Sequence, residues 1–394
     1  MMMTGVDKKV FAALFFSIFT AVIGVGIVVP LLPIYAESLG SSGVYIGLVF
    51  ASFSISRSFL LPLFGYWSDR TGRKPYIFIG LLGYTLVSAA FIFSDSVAGL
   101  IGIRFFQGIA SAMVMPVVQA YIGDMAPINK EGSVMGLFNL SMFTGLSIGP
   151  LVGGLINDVA GMDAAFLCMG VLTLGGAMMS FFLLPPVRQE KAVRRREKAP
   201  TALTRLIRDR TLHGIVLLRF VYVFCIGVIW CFLPIMSKDF GLSTTAIGFL
   251  IMLGVFTSGV FQVPLGRVAD RVNKPRMAIL GGLVVAADVL TYQWAGGFWG
   301  LVAASIGFGL GGGITMPPLM AMVVIKGNAT GSMGSVMSLL TLAHSLGMMF
   351  GALSAGFIMD FFSIQQSFQV ASLIMLGGTG LFAWSLSAEK ASNC

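Results

Sequence analysis

Several ionisable side chains sit where their chemistry conflicts with their surroundings. Arg57, Arg104, Asp288 and His344 each interrupt a long apolar run, and Asp124 lies near the end of another. Inside hydrocarbon such groups are costly, and those that occur there mark ion pathways, proton relays or ligand contacts. His344 is suited to titrate near neutral pH, and Asp288 is an acid in the middle of an apolar segment. A lone His in such a run also serves as a packing residue, and an Arg as one satisfied by neighbouring carbonyls. Enzyme chemistry finds no support. The only two histidines, His213 and His344, belong to no Ser/His/Asp set, and no G-x-x-x-x-G-K-[ST] phosphate loop occurs. The four cysteines show neither metal-ligand spacing nor a disulfide framework, so neither a metal nor a cofactor is expected.

The segments that must position these groups are spans. Of 394 residues, 57% are hydrophobic and only 10% charged, with a mean hydropathy of +0.92. A soluble chain is about a quarter charged, so a lipid solvent is implied. The apolar runs read as 11–35, 44–66, 76–95, 98–122, 133–156, 164–184, 213–236, 245–267, 276–295, 298–322, 333–359 and 366–386. Twelve spans predict an all-α membrane protein. Lys8 and Lys9 precede a first run too long for a signal-peptide core, so that span is expected to be retained.

The net charge of +9 would suit nucleic acid, but its placement argues otherwise. Lys238 alone lies in the odd-numbered loops, and Arg57, Arg104 and Arg219 lie within runs. Every other Lys and Arg falls in an alternate connection, counted from the N-terminus. That asymmetry is the positive-inside pattern, which puts both termini in the cytoplasm. Glu37 and Asp158 read as outer-loop charges. The one long polar stretch, 185–212, carries Arg194, Arg195 and Arg196 and reads as a cytoplasmic basic linker, part of which is open to lying on anionic lipid. It divides the chain into an N-terminal six-helix bundle, 1–184, and a C-terminal one, 213–394.

The two halves repeat. Gly40, Ile46 and Gly47 recur as Gly241, Ile247 and Gly248, and Gly65, Asp69 and Arg70 as Gly266, Asp270 and Arg271, at an offset of 201. Gly145, Gly149, Gly154 and Asp158 recur as Gly347, Gly351, Gly356 and Asp360 at an offset of 202. An even number of spans per half makes these parallel repeats, an architecture that places a substrate site between them at the midplane.

Three motifs carry a resemblance. The loop Gly65-Tyr-Trp-Ser-Asp69-Arg70-Thr-Gly72-Arg73-Lys74 follows the second span, with a weaker copy at Gly266 to Lys274 that is one residue shorter and lacks the second Gly. Arg104-Phe-Phe-Gln107-Gly108 lies in the fourth span. Gly145-x-x-x-Gly149-Pro150-x-x-Gly153-Gly154 lies in the fifth, where small residues clear a helix face for close packing. Over essentially its whole length the chain resembles the major facilitator superfamily, and its fifth-span string is similar to the signature of the drug/proton antiporter branch.

The resemblance implies two pseudo-symmetric six-helix bundles, and a monomer exporting small lipophilic drugs or metabolites in exchange for protons across a bacterial cytoplasmic membrane. It makes Gly65, Asp69, Arg70, Gly72, Arg73, Asp270 and Arg271 a conformational switch, with Asp69 docking on the start of the eleventh helix. Gly145, Gly149, Pro150, Gly153 and Gly154 become packing residues. Arg104 is linked to proton transfer and joins Asp124, Asp288 and His344 as proton-coupling candidates. Arg57, Met113, Met115, Tyr222, Trp230 and Met316 are candidates for the cavity lining. The partners implied are a small molecule, protons and the lipid bilayer, and not nucleic acid. One departure stands out: the first span holds no carboxylate of the kind many drug/proton antiporters place there. The excess of Arg57 and Arg104 supports an alternative, an anionic metabolite anchored by both.

Overall fold

The computed structural model describes residues 8–125, 131–185, 209–330 and 333–392. Of the linker expected over 185–212, residues 186–208 lie outside these. The described residues form twelve long helices: α1 (Lys8–Ser38), α2 (Gly43–Thr71), α3 (Lys74–Ile92), α4 (Val97–Met125), α5 (Glu131–Ala160), α6 (Met162–Leu183), α7 (Arg210–Asp239), α8 (Thr244–Arg271), α9 (Lys274–Thr291), α10 (Phe298–Thr330), α11 (Met333–Phe361) and α12 (Ile364–Ser392). Each contains a stretch long and apolar enough to cross a membrane. The protein is an all-α, multi-pass membrane protein, as the apolar runs predict. In lipid the backbone must satisfy its own hydrogen bonds, which leaves helices as the solution for such runs.

The repeat glycines mark how helices end. Gly40 and Gly241 adopt φ of +75° and +70° after α1 and α7. The Gly40 amide donates to the Glu37 carbonyl at 2.9 Å and that of Ser41 to Ala36 at 3.2 Å; Gly241 and Leu242 bond Lys238 and Ser237 in the same way at 2.8 and 3.2 Å. These are left-handed helix caps, in which an added Cβ would be strained.

The chain forms two compact units. The first comprises the described residues of Met1–Ser41, Ser52–Val193 and Ser243–Met252, and the second those of Ser42–Ala51, Arg194–Leu242 and Leu253–Cys394. The first turns of α2 and α8 thus belong to the unit that does not contain the rest of their helix. In the first unit α1 packs on α4, α5 and α6; in the second α7 packs on α10, α11 and α12. These two helices are the most enclosed of the twelve. Large apolar side chains such as Phe59, Leu86, Phe182 and Leu373 remain exposed, as a lipid solvent allows. The start of α7 is fixed by Asp209, which accepts from the Leu212 amide at 3.0 Å and pairs with Lys326 at 2.9 Å.

Candidate functional site

In the first unit the two arginines meet at one ring. Phe53 and Arg57 lie a turn apart on α2, and Arg104 approaches from α4. The Arg104 guanidinium lies 4.5 Å from the Phe53 centroid and that of Arg57 lies 6.0 Å from it. Cation–π attraction operates at such separations. Gly108 makes the approach possible, because a Cβ there would collide with the Phe53 carbonyl and the Ser56 hydroxyl. The R-x-x-Q-G string thus acts as a unit: Gly108 admits α2, and Arg104 Nη1 donates to Gln107 Oε1 at 2.6 Å. Arg57 Nε and Gln107 Nε2 are buried without a hydrogen-bond partner. Tyr84 of α3, 1% exposed, lies within electrostatic reach of both guanidiniums. The sequence does not single out Phe53 or Tyr84, because an aromatic in an apolar run carries no signal until its neighbours are known.

A second polar group occupies the second unit. Arg219 of α7 donates from Nη2 to His344 Nδ1 of α11 at 3.0 Å, and its Nη1 lies 2.8 Å from Met316 Sδ of α10. Arg219 Nε is buried without a partner. Tyr222, 5% exposed, lies one turn on from Arg219 and stacks on Phe308 at 5.8 Å. The sequence separates Arg219 from His344 by more than a hundred residues, and nothing in it pairs them.

The remaining candidates are dispersed. Asp288 of α9 lies against Gly307 of α10, with Oδ2 buried and without a hydrogen-bond partner. Met113 lines an apolar groove with Ile79, Leu86 and Phe106 along α3 and α4. Met115 and Trp230 are half-buried on α4 and α7. The Asp124 side chain lies outside the described residues. No cluster of three His, Cys, Asp or Glu that would hold a metal occurs among the described residues.

The loop after α2 turns on Gly72, at φ +99°, and Pro75 opens α3. Asp69 forms an ion pair with Arg73 at 3.1 Å, and Arg70 lies over the Tyr66 ring at 4.2 Å. Nothing lies within 4 Å of a Cβ at Gly65. In the second copy Asp270 and Arg271 are exposed. There Asn273 accepts from the Arg276 amide at 3.1 Å, so a side-chain cap starts α9 where the first loop uses a glycine turn.

The α5 string serves two neighbours. Gly145, Gly149 and Gly153 face α1, where a Cβ on Gly149 would lie 2.8 Å from Gly26 Cα and one on Gly153 2.6 Å from the Ile27 carbonyl. Gly154 faces the Thr244 carbonyl, and the Pro150 carbonyl abuts Gly248, both on the first turns of α8. Just beyond, Asp158 accepts four hydrogen bonds: from the amides of Thr244 and Thr245 at 3.1 and 2.7 Å, and from their hydroxyls at 2.5 and 2.6 Å. Asp158 is therefore no mere outer-loop charge. Its carboxylate caps a helix N-terminus, where free amides and the helix dipole favour an anion. On α11, Gly347 and Gly351 face the Phe220 and Phe224 carbonyls of α7, and Gly356 faces Gly43 of α2. Asp360 repeats the cap, accepting from the Gly43 and Val44 amides at 2.5 and 2.9 Å.

The family model described as Major Facilitator Superfamily matches residues 14–218 and 215–393. Multidrug resistance protein 2 of Bacillus subtilis (strain 168) is 28% identical over 386 residues, covering 95% of this chain and 94% of that protein. Among solved structures, the nucleoside transporter NupG superposes with a TM-score of 0.78 at 12% identity, over 96% of this chain and 99% of NupG. The human organic anion transporter TETRAN gives 0.68 at 20% identity, over 95% and 99%. These two likenesses concern the fold.

Proposed function

The chain belongs to the Major Facilitator Superfamily, and on that premise we propose that it moves small lipophilic compounds across a cell membrane by alternating access coupled to protons, with preference for those bearing a negative charge. The observation that carries the charge preference is the pair of arginines sharing Phe53 in the first unit. Arg57 has no carboxylate partner among the described residues, and its Nε is left without an acceptor. A buried guanidinium in that condition gains most from an anionic ligand. The two bundles, 1–184 and 213–394, are the bodies that rock, with the basic linker between them and both termini cytoplasmic in a bacterial membrane. The loop of Asp69 and its second copy at Asp270 act as the switch, and the protein works as a monomer.

Proteoliposomes with an imposed pH gradient test this. Flux of 1-naphthoate is expected to respond to the gradient. Arg57→Ala should lower it by about 10-fold or more, the effect of losing one hydrogen bond to a charged group at about 1.5–3 kcal/mol. Naphthoate flux that is absent, or unchanged in Arg57→Ala, would overturn the anionic reading. A second reading is proton-antiport efflux of uncharged or cationic drugs. It is favoured by the complete α5 string seated on α1, and by the relative named for multidrug resistance. Ethidium exchange for protons, with no naphthoate flux, would select it.

A further inference from the structure

The second unit holds a group that the anion-anchoring arginines of the first do not explain. Arg219 has five donors and no acceptor capacity, so His344 Nδ1 must be the acceptor in the 3.0 Å contact. That fixes His344 as the neutral imidazole. The guanidinium is poorly served in return. One Nη faces the thioether of Met316, a weak acceptor, and Nε has no partner.

We propose that Arg219 and His344 form a site that takes up a small organic oxyanion, a carboxylate or sulfonate, together with one proton. The proposal rests on the anionic reading above and specifies its proton coupling. The proton comes from hydronium in the aqueous phase, whose O–H bond breaks to leave water, and it forms a new N–H bond at His344 Nδ1. The hydrogen bond from Arg219 to that nitrogen is lost, and an oxygen of the anion accepts from both Arg219 Nη2 and His344 Nδ1–H. Before loading the site carries one positive charge, on Arg219. After loading it carries two cations and one anion, so its net charge is unchanged. Without the anion, protonation would set two cations side by side in a low-dielectric interior, which opposes it. Without the proton, Nδ1 of His344 presents a lone pair and cannot donate to the anion. Each ligand therefore favours the other, and by linkage the effect is reciprocal.

From α7 the titratable neighbour is Tyr222, beside Arg219. From α10 the neighbour is Met316; Lys326 on that helix is paired with Asp209. Residues 364–387 of α12 and 42–51 of α2 contain no Asp, Glu, Lys, Arg or His. On α11 itself Asp360 is held by the α2 amides. Among the described residues no acid is paired with Arg219 to compete for it.

The chain has only two histidines, so histidine-labelled full-length protein in nanodiscs gives two imidazole spectra by NMR, and His213→Gln assigns them. At pH 6, saturating 1-naphthoate is expected to raise the ratio of protonated to neutral His344 at least 5-fold, and uncharged 1-naphthalenemethanol to leave it unmoved. Arg219→Gln should abolish the naphthoate response, and Arg219→Lys should retain part of it. His344→Gln, which keeps an acceptor, should bind naphthoate without dependence on pH. A His344 ratio that naphthoate does not move overturns the site, whether or not naphthoate is bound. If naphthoate flux persists in that case, the anionic reading stands without this site. A moved ratio without flux keeps the site and removes the transport reading.

Discussion

Gly149→Leu is expected to abolish transport and to lower thermal stability. Gly149 meets Gly26 backbone to backbone, with 2.8 Å from its would-be Cβ to Gly26 Cα. A flexible side chain could swing aside, but a backbone cannot. A leucine there must part α5 from α1 along the stripe that also includes Gly145 and Gly153. Overpacking of this kind costs about 1–3 kcal/mol, occasionally more, against a typical total stability of about 5–15 kcal/mol. Gly149→Ala needs a smaller separation and should fall between wild type and leucine. Thermal unfolding in detergent and flux in proteoliposomes check both variants. Leucine with wild-type melting and flux would show that the α1–α5 contact tolerates separation.

Asp158→Ala is expected to release the first turn of α8 from α5. It strips one carboxylate from two amides and two hydroxyls at once. The site is exposed, so water takes over part of the loss. The effect is therefore that of an ordinary N-cap, about 1–2 kcal/mol, or roughly 5- to 30-fold in the population of the released form. In a cysteine-free background, a spin-label pair at Val159→Cys and Ala246→Cys reports the distance directly. Wild type should give one short distance, and Asp158→Ala a second, longer population. Asp158→Asn, which keeps one accepting oxygen, should lie between them. An unchanged distribution in the alanine variant would show that the glycine contact alone holds the turn.

What the sequence revealed and what it hid divide along physical lines. The twelve spans were legible because lipid demands long apolar runs, and a run announces itself without knowledge of its neighbours. The helix ends were less legible. The tenth run fades near residue 322, yet α10 continues to Thr330 and carries Lys326 to its pairing with Asp209. The glycine string on α5 was legible because small residues at fixed spacing have one main use in a membrane. The partner of each polar group was not. Asp158 reads as a loop charge until α8 is placed against it, and Arg219 passes as one more cation until α11 brings His344 within 3.0 Å. One signal was available: Asp158 and Asp360 share the repeat offset of the glycines before them, which pointed to a common task.

That shared task has a consequence for observation. The first amides of a helix normally lack partners and trade their protons with solvent freely. In this protein those of Gly43, Val44, Thr244 and Thr245 are bound to carboxylates. Their rate of deuterium uptake becomes an unlabelled clock for the two caps, slow while each carboxylate is seated and fast once it lets go. Because α2 and α8 carry separate clocks, the native protein would reveal whether the two caps open together or in turn.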